Sequence, residues 1–338
     1  MTIRITAIPR TNSPQSGYHP HFFAMRNNDI IWALPGKGES LSNYDGLVFF
    51  WIEPINSIKK LPKYFVKIVA FFTIFIRALF LEKQVFIVHS FLYALPILMA
   101  GQQYVIVVHG SDYKYLNKSW SKFIANKANE IFGIGFSARG KGFNVKEIPN
   151  IFSLPLNQRN NKSFKYDALF VLRNAVVKNP KYPEELLFHL SSKTKIRIAV
   201  IGLDSKDSLN ISKFNNKDTT KNCYIDYFGV QSHNEVINIM QKSKILIIPS
   251  HSEGVAKAML EALACGLHVV LNKSINLPEV FNKVVDKVDI YDWNAMNEIL
   301  IKPFDHEKSI SNNIFIKDYR LKSISYLEEV YSKTSSLK

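Results

Sequence analysis

Short apolar runs separated by segments of helical length dominate the chain. Strand-like runs fall at Ile3–Ile8, Ile30–Leu34, Leu47–Trp51, Val85–Val88, Tyr104–Val108 and Ile131–Ile134. A second series falls at Ala168–Leu172, Ile196–Ile201, Tyr224–Phe228, Ile245–Ile248, His268–Leu271 and Val288–Tyr291. Uninterrupted runs such as Val105-Ile-Val-Val and Ile245-Leu-Ile-Ile suit strands buried on both faces, as in parallel sheets. Helical spacing marks Pro62–Leu81, Pro183–Leu190, Glu235–Gln241, Val255–Ala264 and Tyr319–Tyr331. A polar, aperiodic gap at Leu156–Phe164 separates the two series. Strand–helix alternation on both sides predicts two doubly wound α/β units, about 1–155 and 165–315, with a closing helix over 316–338 that packs back toward the first. A second polar stretch, Ser205–Asn222, reads as a surface insertion. Open α/β sheets bind ligands at the carboxyl ends of their strands, so a cleft between the units is the expected site.

Composition narrows the class. The chain has 338 residues, 47% of them hydrophobic and 21% charged, an ordinary globular balance that excludes disorder and collagen-like repeats. Forty-three Lys+Arg against 28 Asp+Glu leave +15, and residues 1–155 alone hold 17 basic and 8 acidic. Such a charge favours polyanions: nucleic acid, an anionic membrane or phosphorylated small molecules. Two cysteines cannot build a disulfide framework or a metal site, which points to a reducing compartment. The N-terminus alternates like a strand and lacks a signal-peptide core, and no run reaches a spanning length. The expectation is a cytoplasmic protein, with room for a peripheral membrane contact.

The sharpest segment is Ile247-Ile-Pro-Ser-His-Ser-Glu-Gly-Val-Ala-Lys-Ala-Met-Leu-Glu-Ala-Leu-Ala-Cys-Gly-Leu-His-Val-Val. A buried strand ends near Pro249, a helix begins near Val255 and stops at Gly266, and a new strand starts at His268. Glu253 sits at the strand-to-helix turn, and Glu261 lies a little over two helical turns further on. Free N–H groups at a helix start beside Gly254 suit an anionic or hydroxyl-rich ligand. As a plain solvated residue Glu261 is strained, because Leu260, Ala262 and Ala264 leave little polar surface around it.

This segment resembles the donor-binding signature of retaining glycosyltransferases of family 4, which have the GT-B architecture: two Rossmann-like domains facing a cleft. The family frame, S-x-x-E-G-x-x-x-x-x-L-E-A-x-A-C-G-x-P-V-V, runs here from Ser250 to Val270. Departures are Ala256 where Gly is frequent and His268 where Pro is usual. The resemblance implies that Glu253, Gly254, Val255 and Ala256 hold sugar hydroxyls and that Glu261 binds the ribose. Phe170-Val-Leu-Arg-Asn-Ala-Val-Val-Lys looks like the family's strand and basic loop, implying that Arg173 and Lys178 bind the donor diphosphate. Two fixed cations at a strand end suit such a leaving group, one forked and one a point charge. The usual Gly after the Lys is here Asn179-Pro180.

In the first unit, Val105-Ile-Val-Val-His-Gly-Ser-Asp ends a buried strand. The resemblance implies that His109 and Gly110 approach the donor sugar, with Asp112 a weaker candidate on the acceptor side. The Pro9–His21 loop holds one glycine, Gly17; by topology it faces the cleft, so Gly17 is a donor-side candidate and Arg10 an acceptor-side one, against ordinary turn chemistry. Rival chemistries lack their residues. The chain has no D-x-D pair for a metal-clamped donor, no phosphate-loop or dinucleotide fingerprint, no nucleophile elbow and no H-E-x-x-H. No metal and no cofactor are expected, the nucleotide sugar being a substrate.

Pro62–Lys83 reads two ways: a buried helix covering the first sheet, which is favoured, or a monotopic contact in which Lys59, Lys60, Lys63 and Lys67 meet anionic lipid. Both hold if only one face is exposed. The resemblance therefore implies a retaining, metal-independent hexosyltransferase. A first, acceptor-side domain and a second, donor-binding domain would move a sugar, by family habit from a uridine diphosphate donor, to a glycan or a polyprenyl- or lipid-linked acceptor in surface polysaccharide, O-antigen or lipopolysaccharide synthesis. A phosphorylase or epimerase of the same architecture stays open, as does a basic nucleic-acid binder, although no aromatic platform supports the latter.

Overall fold

The computed structural model describes residues 4–7, 29–32, 48–50, 63–83, 85–88, 91–108, 118–134, 143–150, 152, 164–190, 195–204 and 223–335. The chain divides into two compact units, residues 1–151 with 321–338, and residues 152–320.

In the first unit the described strands are β1 (Arg4–Ala7), β2 (Asp29–Trp32), β3 (Val48–Phe50), β4 (Val85–Val88), β5 (Gln103–Val108), β6 (Glu130–Ile134) and β7 (Val145–Ile148). They form one parallel sheet in the order β3-β2-β1-β4-β5-β6-β7. Val85–Val88 is buried throughout, as its unbroken apolar run requires. Helices α1 (Lys63–Phe80), α2 (Phe91–Met99) and α3 (Ser119–Lys127) lie side by side. Their inner residues, among them Ile74, Ala78, Phe91, Ile97 and Ile124, share a core with Phe86, Val88, Ile106 and Val108 of the strands.

On α1 Ile74 and Ala78 are buried, as the covering-helix reading requires, while Ile68, Phe72, Ile76, Leu79 and Phe80 are exposed. Lys59 and Lys60 lie outside the described residues. The sequence pattern misses α2, because Phe91–Met99 contains Pro96 and no charged or amide residue, so no apolar period can stand out. It also misses α3 and β7.

The second unit repeats the design with β8 (Tyr166–Val171), β9 (Arg197–Ile201), β10 (Tyr224–Tyr227), β11 (Ser243–Ile248), β12 (His268–Asn272) and β13 (Asp286–Val288). Their order is β10-β9-β8-β11-β12-β13, again all parallel. Along β8 and β11 successive residues feed two different cores: Leu169, Leu246 and Ile248 on one face, Ala168, Phe170, Ile245 and Ile247 on the other. Helices α4 (Tyr182–Leu190), α5 (His233–Gln241), α6 (Lys257–Ala264), α7 (Trp293–Ile301) and α8 (His306–Ser335) complete the described elements. The last corrects the expectation of a helix starting at 316, or of helical spacing only from Tyr319: it starts at His306, where Asp305 accepts from the Lys308 N–H at 2.8 Å. The strand expected at Val288–Tyr291 is also shifted, to Asp286–Val288.

Parallel pairing places the carboxyl ends of β8, β9 and β10 in one row, and the backbone there is held tightly. The Gly202 N–H donates to the Gly229 carbonyl at 2.6 Å. Gly202 has φ +89°, and a Cβ at that position would lie 2.0 Å from the Leu172 carbonyl oxygen. Only glycine fits so close an approach at a left-handed backbone angle.

Candidate active site in the second unit

The order of the second sheet reverses between β8 and β11, which are hydrogen-bonded neighbours. The segments leaving their carboxyl ends are therefore adjacent, and such a switch point is where open α/β sheets take their ligands. From β8 the chain passes through Leu172 and the exposed Arg173 into a 3₁₀ turn, Val176–Lys178. From β11 it passes through Pro249 and the buried Ser250 to Glu253.

Here the two segments meet. The Lys178 Nζ donates to Glu253 Oε1, and Ser250 Oγ donates to the same oxygen at 3.1 Å. A backbone bond from the His251 N–H to the Val177 carbonyl, 2.9 Å, ties the two turns together. The Lys178 and Glu253 side chains are more than four-fifths buried yet not sealed, with 18% and 16% exposure. A cation and a carboxylate thus share a rigid junction that a ligand can still reach. Arg173 stands on the same turn with its carbonyl accepting from the Ala175 N–H at 2.8 Å.

The turn after Lys178 depends on Asn179, at φ +50° the only non-glycine residue with positive φ among the described residues. Asn tolerates this region better than most residues. Its side-chain amide donates to the Tyr291 hydroxyl at 3.0 Å and its carbonyl accepts from the Tyr182 N–H at 3.2 Å. Asn179 thus adopts here a left-handed backbone of the kind glycine takes without strain. Ala256 likewise needs no glycine: it is the N-cap of α6 at φ −65°, and no side chain caps the helix there. Gly254 and Val255 lead into that uncapped helix start, with Val255 buried.

Glu261 lies in the second turn of α6 and is 5% exposed, which overturns a solvated-face role. Its Oε1 has no hydrogen-bond partner. The nearest basic side chains are Lys257, with Nζ at 3.5 Å, and His233 at the start of α5, with Nδ1 at 3.8 Å. Burial pushes the Glu261 carboxyl up to about 7 against the pull of Lys257. Burial, reinforced by Lys257, pushes the His233 imidazole down. An unsatisfied buried acceptor of this kind is costly unless a donor from a ligand completes it. Neither His233 nor Lys257 is singled out by the sequence; a lone His at a helix start carries no signal until its spatial neighbours are known.

The structure thus joins Lys178 to Glu253, places Arg173 on the same turn, and sets Glu261 in a separate charged cluster. His109, Gly110, Asp112, Arg10 and Gly17 lie outside the described residues, although β5 ends at Val108, immediately before His109. Among the described residues no group of three potential ligands could hold a metal.

Residues 156–314 match the family described as glycosyl transferases group 1. That match spans a little under half the chain and contains every described residue of the site. The search of the curated proteins found no match. Among solved structures, the chain is similar to a sucrose-phosphate synthase from Thermosynechococcus elongatus, at 13% identity and TM-score 0.66, covering 98% of each chain. It is also similar to the apo form of the lipopolysaccharide outer core galactosyltransferase WaaB, at 13% identity and TM-score 0.65, over 98% of this chain and 100% of that one. A third is the E. coli trehalose-6-phosphate structure bound with UDP-2-fluoro glucose, at 12% identity and TM-score 0.61, covering 100% of each. These identities speak for the fold, which is that of GT-B glycosyltransferases. The group 1 domain and its glycosyltransferase neighbours support a glycosyltransferase.

Proposed function

We propose that the protein is a retaining, metal-independent glycosyltransferase of family 4 type, taking a uridine diphosphate sugar and delivering it to a glycan or lipid-linked acceptor of a bacterial cell surface. The observation that carries this reading is the Lys178–Glu253 junction at the β8/β11 switch point, with Arg173 beside it. An arriving donor would divide that ion pair. Its diphosphate accepts from Lys178 and Arg173, while hydroxyls of its sugar donate to Glu253 and accept from N–H groups at the uncapped start of α6. The ribose hydroxyls would supply the donors that Glu261 lacks.

In the transfer step the bond between the anomeric carbon and the diphosphate oxygen breaks, and charge builds on the departing oxygen. Lys178, held in place by Glu253, and Arg173 on the same turn stabilise that charge more than the ground state. The acceptor oxygen attacks the same sugar face, and the departing phosphate takes its proton. This requires no carboxylate base and nucleophile pair of the kind glycoside hydrolases use. A galactosyltransferase of the lipopolysaccharide core and a UDP-sugar complex among proteins of this fold agree with the donor and acceptor classes.

The test is a thermal-shift screen of nucleotide sugars followed by NMR of the product. A donor at about 100 times its dissociation constant adds about 2.7 kcal/mol of stability. Stabilisation by UDP sugars, turnover unchanged by EDTA, and a product with the donor's anomeric configuration are expected. An inverted product removes the same-face mechanism, and indifference to every nucleotide sugar removes the reading.

A further inference from the structure

The described helices of the first unit carry large apolar residues on their outer side as well as their inner one. The inner side meets the sheet, as described above. The outer side should carry polar residues in a water-facing layer, yet α1 exposes Phe72 at 54%, Ile76 at 46% and Phe80 at 81%. On α2 Met99 is exposed at 57%, and on α3 Trp120 and Phe123 at 39% and 57%. The spacing Ile68, Phe72, Ile76, Leu79 keeps one helical face, so the exposure follows a stripe rather than scattered positions. Because α2 packs against both α1 and α3, these exposed groups lie on neighbouring helices. A surface with this many large apolar groups on adjoining elements marks an interaction site.

Charge identifies what covers it. Lys122 and Lys127 on α3 and Lys118 at its N-cap are exposed on the segment that carries Trp120 and Phe123, and among the described residues no ion pair involves them. From Lys63 to Lys127 the chain carries eight basic residues and two acidic ones. A second copy of the chain would set these lysines against their own counterparts across the same face, which like-charge repulsion opposes. A surface offering both hydrocarbon and negative charge answers both features.

We propose that the outer face of α1, α2 and α3 is a monotopic docking surface for an anionic lipid bilayer. Phe72, Phe80 and Phe123 enter the headgroup–acyl boundary, Trp120 sits at the level of the headgroups, and the α3 lysines contact lipid phosphates. No described helix is long and apolar enough to cross a membrane, so the contact is lateral. The proposal deepens the lipid-linked acceptor reading by naming the surface that would bring the enzyme to it. It stands on unit 1 alone, so binding in unit 2 is a separate measurement.

The experiment is co-sedimentation of the full chain with vesicles of phosphatidylcholine alone and of phosphatidylcholine with phosphatidylglycerol in equal parts. It uses wild type, a Lys118→Gln/Lys122→Gln/Lys127→Gln variant, and a Phe72→Ser/Phe123→Ser variant, all substituted at exposed positions. At roughly 1 kcal/mol for each lysine near the surface, the triple variant should partition onto anionic vesicles about a hundredfold more weakly. The double Ser variant should lose binding even at low salt. A blue shift in tryptophan emission on adding anionic vesicles should disappear in Trp120→Phe, which still binds. Thermal shift by UDP in solution is read on every variant: unchanged shifts with lost vesicle binding support the docking surface. Equal binding to both vesicle types, or variants that sediment like wild type, overturn it whatever the nucleotide result. A wild-type dimer in analytical ultracentrifugation that the double Ser variant dissociates also overturns it, in favour of a second copy.

Discussion

Lys178 and Glu253, 75 residues apart in sequence, form an ion pair across the turns that leave β8 and β11. Each holds the other in a position where a diphosphate and a sugar hydroxyl would compete for it. The pair thus keeps a buried cation and a buried carboxylate compensated until a ligand takes both. Breaking one side alone leaves an uncompensated charge.

That asymmetry gives the first prediction. Lys178→Ala and Arg173→Ala should each lower turnover by about 10²–10³ with a smaller effect on nucleoside affinity, because the leaving group gains charge in the transition state. Glu253→Gln keeps the shape but cannot pair with Lys178, so KM for the donor should rise along with a fall in kcat. Steady-state kinetics over a donor series separates these patterns. Near-normal turnover in either cation variant would show that this turn does not face the diphosphate.

Asn179 supplies the second. Its backbone is left-handed and its amide bonds to Tyr291. Asn179→Gly should preserve the turn and cost little beyond that one hydrogen bond, about 1 kcal/mol. Asn179→Val, a β-branched residue at positive φ, should cost about 1–3 kcal/mol more and displace Lys178. Urea unfolding midpoints with equal m-values would measure the gap, and equal stability of the two variants would sink the backbone argument.

A third concerns Gly202. A methyl group there would press on the Leu172 carbonyl oxygen, which is backbone and cannot swing aside. Gly202→Ala should destabilise by at least about 1–3 kcal/mol through strain at positive φ, with the overlap adding to it. The change should also loosen the end of β8, raising hydrogen exchange at the Leu172 N–H, now bonded to the Ile201 carbonyl at 2.9 Å. Unchanged exchange and stability would mean the strand ends relax freely.

The sequence carried the central strands of both sheets because they are buried on both faces, and the motif of the second unit because its residues are local. Val85–Val88 and Ile245–Ile248 read directly as buried strands, and Ser250–Val270 gave strand, turn, helix and stop in register. What escaped it depends on space. His233 and Lys257 matter only because α5 and α6 pack side by side, which no spacing announces. Asn179 shows its left-handed backbone only in its φ. Helix α2, apolar all round with an internal proline, has no periodicity to read. The edge strand β7, Val-Lys-Glu-Ile, is half charged and only Ile148 is buried, so it offers no apolar run to read.

Glu261 yields the last prediction, and its sign follows from burial. The carboxyl is raised from 4.5 to about 7 in the folded chain, so the native state binds this proton more tightly than the unfolded state. Its contribution to stability is therefore fully present below about pH 4.5 and is lost as pH rises through about 7, on the order of 3 kcal/mol in all. His233, the other titrating group that faces it, is lowered by burial; its contribution is lost instead as pH falls through its folded value. Glu261→Gln should thus be close to neutral near pH 5 and stabilising near pH 8, with the difference in urea midpoints growing between them. Nucleotide binding should move the opposite way. Ribose hydroxyls donate to the ionised carboxylate, so UDP affinity should rise as pH passes about 7 in the wild type and stay flat in Glu261→Gln. Isothermal titration with UDP across this range reads the second effect without any acceptor or turnover. A pH-independent stability difference would mean the carboxyl is solvated, and identical pH profiles of UDP binding would remove Glu261 from the nucleotide site.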